Sequence, residues 1–304
     1  MQTKARGSLA GDLWGGSSAM LVAVPSAIAF GVTILAPLGA GHAAEGALAG
    51  ILGAAALGLV ASAIGGAPRL ISTPCAPAAA LLSAFALQAI QSGRSAESVL
   101  LLLALITFLC GVFQAAFGTV GLGRLIKYMP YPVVSGYMTG VGLIIVLSQI
   151  PKFLGVPGTA SVAQALVVPG TWSVPAIAVG AATVCAMAFG PRLVKAVPAP
   201  VLGIAGGMAA FGVLGLAHRP LLQLEGNHLV IGAFPASLEG LARLSMARWS
   251  ALVHIDAASL GAALVPGLTL AVLLSIDTLK TCVVTDAVTR SRHDSDRVLL
   301  GQGS

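Results

Sequence analysis

Two places in this sequence combine residue types and spacings that can do chemistry. The first is Asp277, which lies in an apolar stretch with Thr281 four residues on. On a helix these two side chains project from one face. A carboxylate with a hydroxyl suits a hard cation such as sodium, while the carboxylate alone could carry a proton. Lys280, three residues from Asp277, offers the competing arrangement of a local ion pair. The second place is residues 65–77, rich in glycine and proline, where Pro74 and Pro77 bracket Cys75 and Ala76. Irregular backbone leading into a helix start leaves backbone N–H groups at Cys75 and Ala76 available to an anion.

The elements that position these residues follow from composition. Hydrophobic residues make up 57% of the 304, charged residues 9%, and the mean hydropathy is +0.96. A soluble domain carries roughly 25% charged residues, so this chain lacks the polar surface to face water. A bilayer core needs about 20 apolar helical residues per crossing. Eight stretches answer that description: 13–35, 45–64, 76–90, 99–117, 133–150, 174–189, 201–216 and 257–284. The third is short, and the glycines and prolines before it predict a half-helix reached through extended backbone. Such backbone is tolerated at membrane depth only where protein buries it or it lines a cavity. Asp277 falls in the eighth stretch, ~9 Å from the midpoint of residues 256–286 at the helical rise per residue. Ionisable groups inside a span usually face an interior or a water-filled cavity.

Charge supplies the topology. Lys4, Arg6, Arg69, Arg124, Lys127, Arg192, Lys195, Arg290, Arg292 and Arg297 fall on the side of the N-terminus. Arg94, Lys152, Arg219, Arg243 and Arg248 fall opposite, and Lys280 lies within the last span. That bias predicts a cytoplasmic N-terminus. The apolar run after Arg6 is long enough to be kept as a first span rather than removed as a leader. The net charge of +6 is dispersed in ones and twos, so no nucleic-acid surface is expected. Cys75, Cys110, Cys185 and Cys282 are isolated and imply neither a disulfide framework nor a metal cluster. The polar loop 217–254 carries Glu225, Asn227, His228, Glu239 and His254 without nucleophile, base and orienter at a recognisable spacing. A membrane enzyme is therefore the least supported class.

Four motifs in order point to a family. They are Gly11-Asp12-Leu13-Trp14-Gly15-Gly16 with Pro25-Ser26-Ala27-Ile28-Ala29-Phe30; the 65–77 segment; Tyr131-Pro132-Val133-Val134-Ser135-Gly136-Tyr137 through Gln149-Ile150-Pro151-Lys152; and Ser275-Ile276-Asp277-Thr278 through Arg292-His293-Asp294-Ser295. Together they resemble the SulP anion transporters, and the Ser-Ile-Asp-Thr wording is similar to the sodium-dependent bicarbonate branch. Asp296 and Val298 depart from the Asn and Glu usual after the eighth helix.

The resemblance implies an all-α polytopic membrane protein with a seven-plus-seven inverted repeat, a fold shared with nucleobase permeases. Residues 1–304 would supply the first repeat and the first helix of the second. They are expected to be a truncated transport domain, with helices nine to fourteen and the cytoplasmic STAS domain outside it. By the same resemblance, half-helices three and ten hold the anion. Phe30, Thr73, Cys75 and Ala76 are its binding residues on this side, and Asp277 and Thr281 are sodium ligands. That branch carries Thr where this chain has Cys75, which exchanges a hydroxyl for a weaker donor.

The expected function is secondary transport of a small inorganic anion across the bacterial inner membrane. Sodium-coupled bicarbonate symport comes ahead of sulfate, with no cofactor beyond the coupling ion and a homodimer at full length. The alternatives are a uracil- or xanthine-type permease of the same fold, or a non-transporting fragment acting at most as an assembly partner.

Overall fold

The computed structural model describes residues 9–67, 70–124, 131–156, 162–194, 197–218, 221, 257–290 and 292–304. Among them the secondary structure is helical, without a strand. In chain order the helices are α1 (Leu9–Leu35), α2 (Ala43–Ile64), α3 (Ala76–Gln91), α4 (Ala96–Val120) and α5 (Tyr131–Phe153). They continue with α6 (Val162–Val167), α7 (Val174–Leu193), α8 (Ala199–Ala217), α9 (Ala257–Thr289) and α10 (Ser295–Gly303). Each expected span coincides with a helix to within a few residues at its ends, and α9 runs furthest past expectation. Among the described residues, six helices are long and apolar enough to cross a membrane, while α3, at 16 residues, is shorter. The helices at 162–167 and 295–303 were not expected. The loop residues Glu225, Asn227, His228, Glu239 and His254, together with Arg69 and Lys127, lie outside the described residues.

Local chemistry sets several boundaries. Ser95 caps α4 by accepting from the Ser98 amide, and Gly121 ends the helix in the left-handed conformation at φ 82°. Ser173 caps α7, with a proline in its first turn. Ahead of α3 the chain is not helical from residue 70 to 75, and Cys75 is extended at φ −119°, ψ 152°. Pro77 sets the helical φ in the first turn, where a missing N–H costs nothing. Asp294 caps α10 by accepting from the Asp296 and Arg297 amides. A polar stretch that reads as a loop in the sequence thereby becomes a helix.

The described residues divide into two units, with boundaries inside α1 and α5. In the unit made of 27–145 and 257–304, α3, α4 and α9 build the core. Leu82, Ala86 and Ala89 of α3 recur at helical spacing and meet Val99, Leu102, Ile106 and Cys110 of α4 and Leu270 and Ala271 of α9. Lipid is as apolar as these side chains, so the packing itself, rather than escape from water, holds the helices together. Small residues permit it. A side chain at Gly31 of α1 would overlap the Gly46 carbonyl of α2, and one at Gly50 would overlap the Ala27 carbonyl.

Helix α10 is seated in this unit by the same device. The Asp294 amide donates to the Gly66 carbonyl at 2.8 Å. Gly66 has φ +118°, and a Cβ there would lie 2.7 Å from the Val298 nitrogen. Gly303 and Gly118 let α10 approach the backbone of α4, and Gly301 packs against Ala61 of α2. In the other unit, α7 and α8 pair through Gly203, Gly206 and Gly207 against Thr183 and Ala186. The Ser173 amide donates to the Leu154 carbonyl at 2.9 Å, which ties the start of α7 to the end of α5.

Candidate functional site

The half-helix α3 brings the first candidate region to a cavity. Its N-terminal residue Cys75 makes no side-chain capping bond, so the first-turn amides are not neutralised by a carboxylate or hydroxyl cap. A cavity of about 260 Å³ opens beside it, lined by Phe30 of α1, Thr73, Pro74 and Cys75 of the approach to α3, and Gln114 of α4. Leu270, Leu274 and Thr278 of α9 and Gln302 of α10 complete the wall. The fold thus brings together three of the sequence-predicted residues, Phe30, Thr73 and Cys75. Ala76 is half-buried in the first turn of α3 and does not line the cavity.

The cavity also contains a donor that sequence reasoning missed. Gln114 is 3% exposed, and its Nε2 has no hydrogen-bond partner. Its Oε1 receives only a long contact from the Cys110 thiol at 3.9 Å. A buried amide N–H2 without an acceptor costs about 1–3 kcal/mol, so such a group calls for an explanation. The only sequence signal is a glutamine near the C-terminal end of the apolar run 99–117. On the facing wall, the Thr278 hydroxyl donates to Gln302 Oε1 at 2.7 Å, joining α9 to α10.

A larger recess of about 430 Å³ lies at the C-terminal end of α2 and carries Arg292, Asp294 and Arg297. Arg297 leans on Asp294 at 3.5 Å, and both side chains are more than half exposed. We place the site at the smaller cavity, because the α3 N-terminus and the unsatisfied amide converge there.

Asp277 and Thr281 lie on α9 and do not line either cavity. The Lys280 ammonium donates to Asp277 Oδ1 at 2.6 Å, with side-chain exposures of 4% and 21%. The Thr281 hydroxyl donates to the Asp277 backbone carbonyl at 2.8 Å rather than to its carboxylate. Thr278, the residue after Asp277, lines the cavity together with Cys75, which sets the pair close to the start of α3. These groups do not fit a sodium ion held by carboxylate and hydroxyl. One positive charge already neutralises the carboxylate, and a second roughly 4 Å away would be repelled by about 4 kcal/mol at an effective dielectric of 20. The local ion pair, the competing arrangement in the sequence, is the one present.

A third constellation was not foreseen. Asp286 Oδ2 accepts from the His293 backbone amide at 2.9 Å and pairs with His293 Nδ1 at 2.7 Å, while His293 Nε2 meets Ser295 Oγ at 2.9 Å. An ionised carboxylate only accepts, so Nδ1 carries the proton and Nε2 takes the Ser295 hydroxyl proton. The order acid, imidazole, hydroxyl resembles a hydrolase triad, but its surroundings do not. Ser295 is 7% exposed, and the Asp296 and Arg297 amides that could stabilise an oxyanion are already bonded to Asp294 Oδ1. The network fastens the end of α9 to the start of α10 across a turn in which Arg290 has φ 52°.

Comparison with known proteins agrees with this architecture. The chain is 33% identical over 307 aligned residues to the "Bicarbonate transporter BicA" of Picosynechococcus sp., covering 97% of this chain and 49% of that protein. It is 32% identical to the protein of the same name from Synechocystis sp., with the same coverages. A more distant relative, the "Putative sulfate transporter YvdB" of Bacillus subtilis, is 24% identical over 64% of this chain. The chain therefore spans about half the length of the BicA proteins it matches. The solved transmembrane domain of a cyanobacterial BicA superposes with a TM-score of 0.73 at 29% identity, covering 100% of this chain and 71% of that one. Both the helical fold and the membrane setting follow from that likeness. The profile of the Sulfate permease family matches residues 9–304, and the chain belongs to that family.

Proposed function

We propose that the protein containing this chain carries a small inorganic oxyanion across the cell membrane by secondary transport, with bicarbonate ahead of sulfate. The observation that carries the reading is the unpartnered, buried Gln114 amide on the wall of a cavity that opens at the α3 N-terminus. An oxyanion has the acceptor atoms that such a group lacks. Three donors would meet it: the first-turn amides of α3, the Thr73 hydroxyl and the Gln114 N–H2. A helix N-terminus contributes roughly 0.3–1 kcal/mol, up to about 2 where partly buried. Each hydrogen bond to a charged acceptor contributes about 1.5–3 kcal/mol. Phe30, Leu270 and Leu274 supply apolar wall that excludes water and strengthens those bonds.

Bicarbonate stands first because two BicA relatives match nearly the whole chain, whereas the sulfate-transporter relative matches a shorter part at lower identity. Sodium at Asp277 and Thr281, which the family resemblance implies, is not part of this proposal, because the Lys280 ammonium already neutralises the carboxylate. A cytoplasmic N-terminus, from the distribution of basic residues, and a homodimeric assembly complete the reading.

The test is uptake by the full-length protein reconstituted in liposomes. Labelled bicarbonate should accumulate above protein-free vesicles and compete with labelled sulfate. If neither anion enters faster than in empty vesicles, the proposal is wrong.

A further inference from the structure

We propose that Lys280 is a tethered cation that occupies the charge position at Asp277, so that transport proceeds without sodium. This inference rests on the transport reading for its functional consequence, though not for its chemistry.

A carboxylate within a membrane span is costly unless it is paired with a cation, hydrated or protonated. In this chain the partner is covalently built in, three residues along the same helix, at 2.6 Å from Asp277 Oδ1. The Lys280 side chain is only 4% exposed, so its charge is taken up by protein rather than by water. Pulling the ammonium away would leave two uncompensated charges in a poorly hydrated place, which is a far larger cost than the pair's net contribution. A dissolved sodium ion competing for the same carboxylate must therefore either displace Lys280 or sit beside it, and both are unfavourable.

Two further observations agree. Thr281, the second expected sodium ligand, has its hydroxyl proton on the Asp277 carbonyl, the usual back-bond of a helical threonine. Thr278, the residue after Asp277, lines the same cavity as Cys75 at the start of α3. The tethered charge thus stands beside the proposed anion site, where a coupling cation would act. Replacing the ammonium with an uncharged side chain of similar length would reopen the position, with Asp277 and Thr281 still in place to take a free ion.

The experiment uses the full-length protein in proteoliposomes and in detergent. Labelled bicarbonate and sulfate uptake is measured in sodium and in N-methylglucamine media for the wild type and Lys280→Met. In the wild type the two media should give rates within about twofold. In Lys280→Met, uptake without sodium should fall by roughly tenfold or more and recover when sodium is added. A wild type that needs sodium, or a variant whose uptake ignores it, overturns the inference.

Thermal unfolding read with and without sodium separates this inference from the transport reading and needs no uptake. Sodium should raise the melting temperature of Lys280→Met by roughly several degrees and leave the wild type unchanged. If no anion is taken up in any condition, the transport reading fails while the melting comparison still decides the cation. A sodium-stabilised wild type refutes the tethered cation even if the variant cannot be purified.

Discussion

Gln114→Met separates a binding residue from a packing residue. The substitution keeps the side chain's length and approximate volume and removes only the amide. In the fold that amide contributes little: Nε2 has no partner, and Oε1 receives one long thiol contact at 3.9 Å. An unsatisfied buried donor costs about 1–3 kcal/mol. Polar contacts between helices in membranes average nearer 0.6 kcal/mol, so the lower part of the range applies. The methionine protein should accordingly be as stable as the wild type or more stable by about 1 kcal/mol, a rise of roughly 2–4 °C in melting temperature for a domain of this size. Anion binding should move the opposite way. Losing a hydrogen bond to a charged acceptor costs about 1.5–3 kcal/mol, which corresponds to a roughly 10- to 150-fold weaker Kd. The assay pairs thermal unfolding in detergent with the bicarbonate concentration dependence of uptake. A destabilised variant whose half-saturation is unchanged would refute the reasoning and make Gln114 a structural residue.

Three further outcomes follow from other contacts. Cys75→Thr restores a hydroxyl at the α3 N-terminus and should lower the KM for bicarbonate by roughly two- to tenfold, with an unchanged KM as the adverse result. Gly31→Val places a branched side chain where a Cβ already overlaps the Gly46 carbonyl. It should destabilise the α1–α2 contact by about 1–3 kcal/mol, read as a lower melting temperature in detergent. His293→Ala removes the middle of the Asp286–His293–Ser295 chain and should cost about 1–3 kcal/mol locally. Amide hydrogen exchange over residues 293–298 should accelerate roughly ten- to a hundredfold, without loss of helix elsewhere.

What the sequence disclosed depended on whether the physics was local. The spans were legible because a bilayer imposes a length of apolar helix, and runs of that length survive any tertiary arrangement. The irregular approach to α3 was legible because Pro74, Pro77 and the 65–66 glycine pair dictate backbone shape by themselves. Helix α10 was hidden, since its charged start reads as a loop until Asp294 is seen capping it and Gly66, Gly118 and Gly303 are seen admitting it between α2 and α4. Gln114 was visible as a polar residue in an apolar run, but its lack of a partner is a property of its neighbours and cannot be read from spacing. The Asp286–His293–Ser295 chain closes only because a turn reverses the backbone between α9 and α10.

Asp277 lies between these cases. Thr281 at four residues and Lys280 at three are equally local, so spacing alone admits a free cation with the first or an ion pair with the second. Burial decides between them. An exposed lysine could swing into water and leave the carboxylate to sodium at little cost, because surface pairs are worth only about 0–1 kcal/mol. At 4% exposure Lys280 has no such alternative, and the lysine that completes the ion pair also removes the vacancy a coupling ion would need. In this chain, the residue three positions after Asp277 is then as informative about sodium as the residue four positions after it. An apolar side chain there leaves the carboxylate open, and a buried lysine closes it.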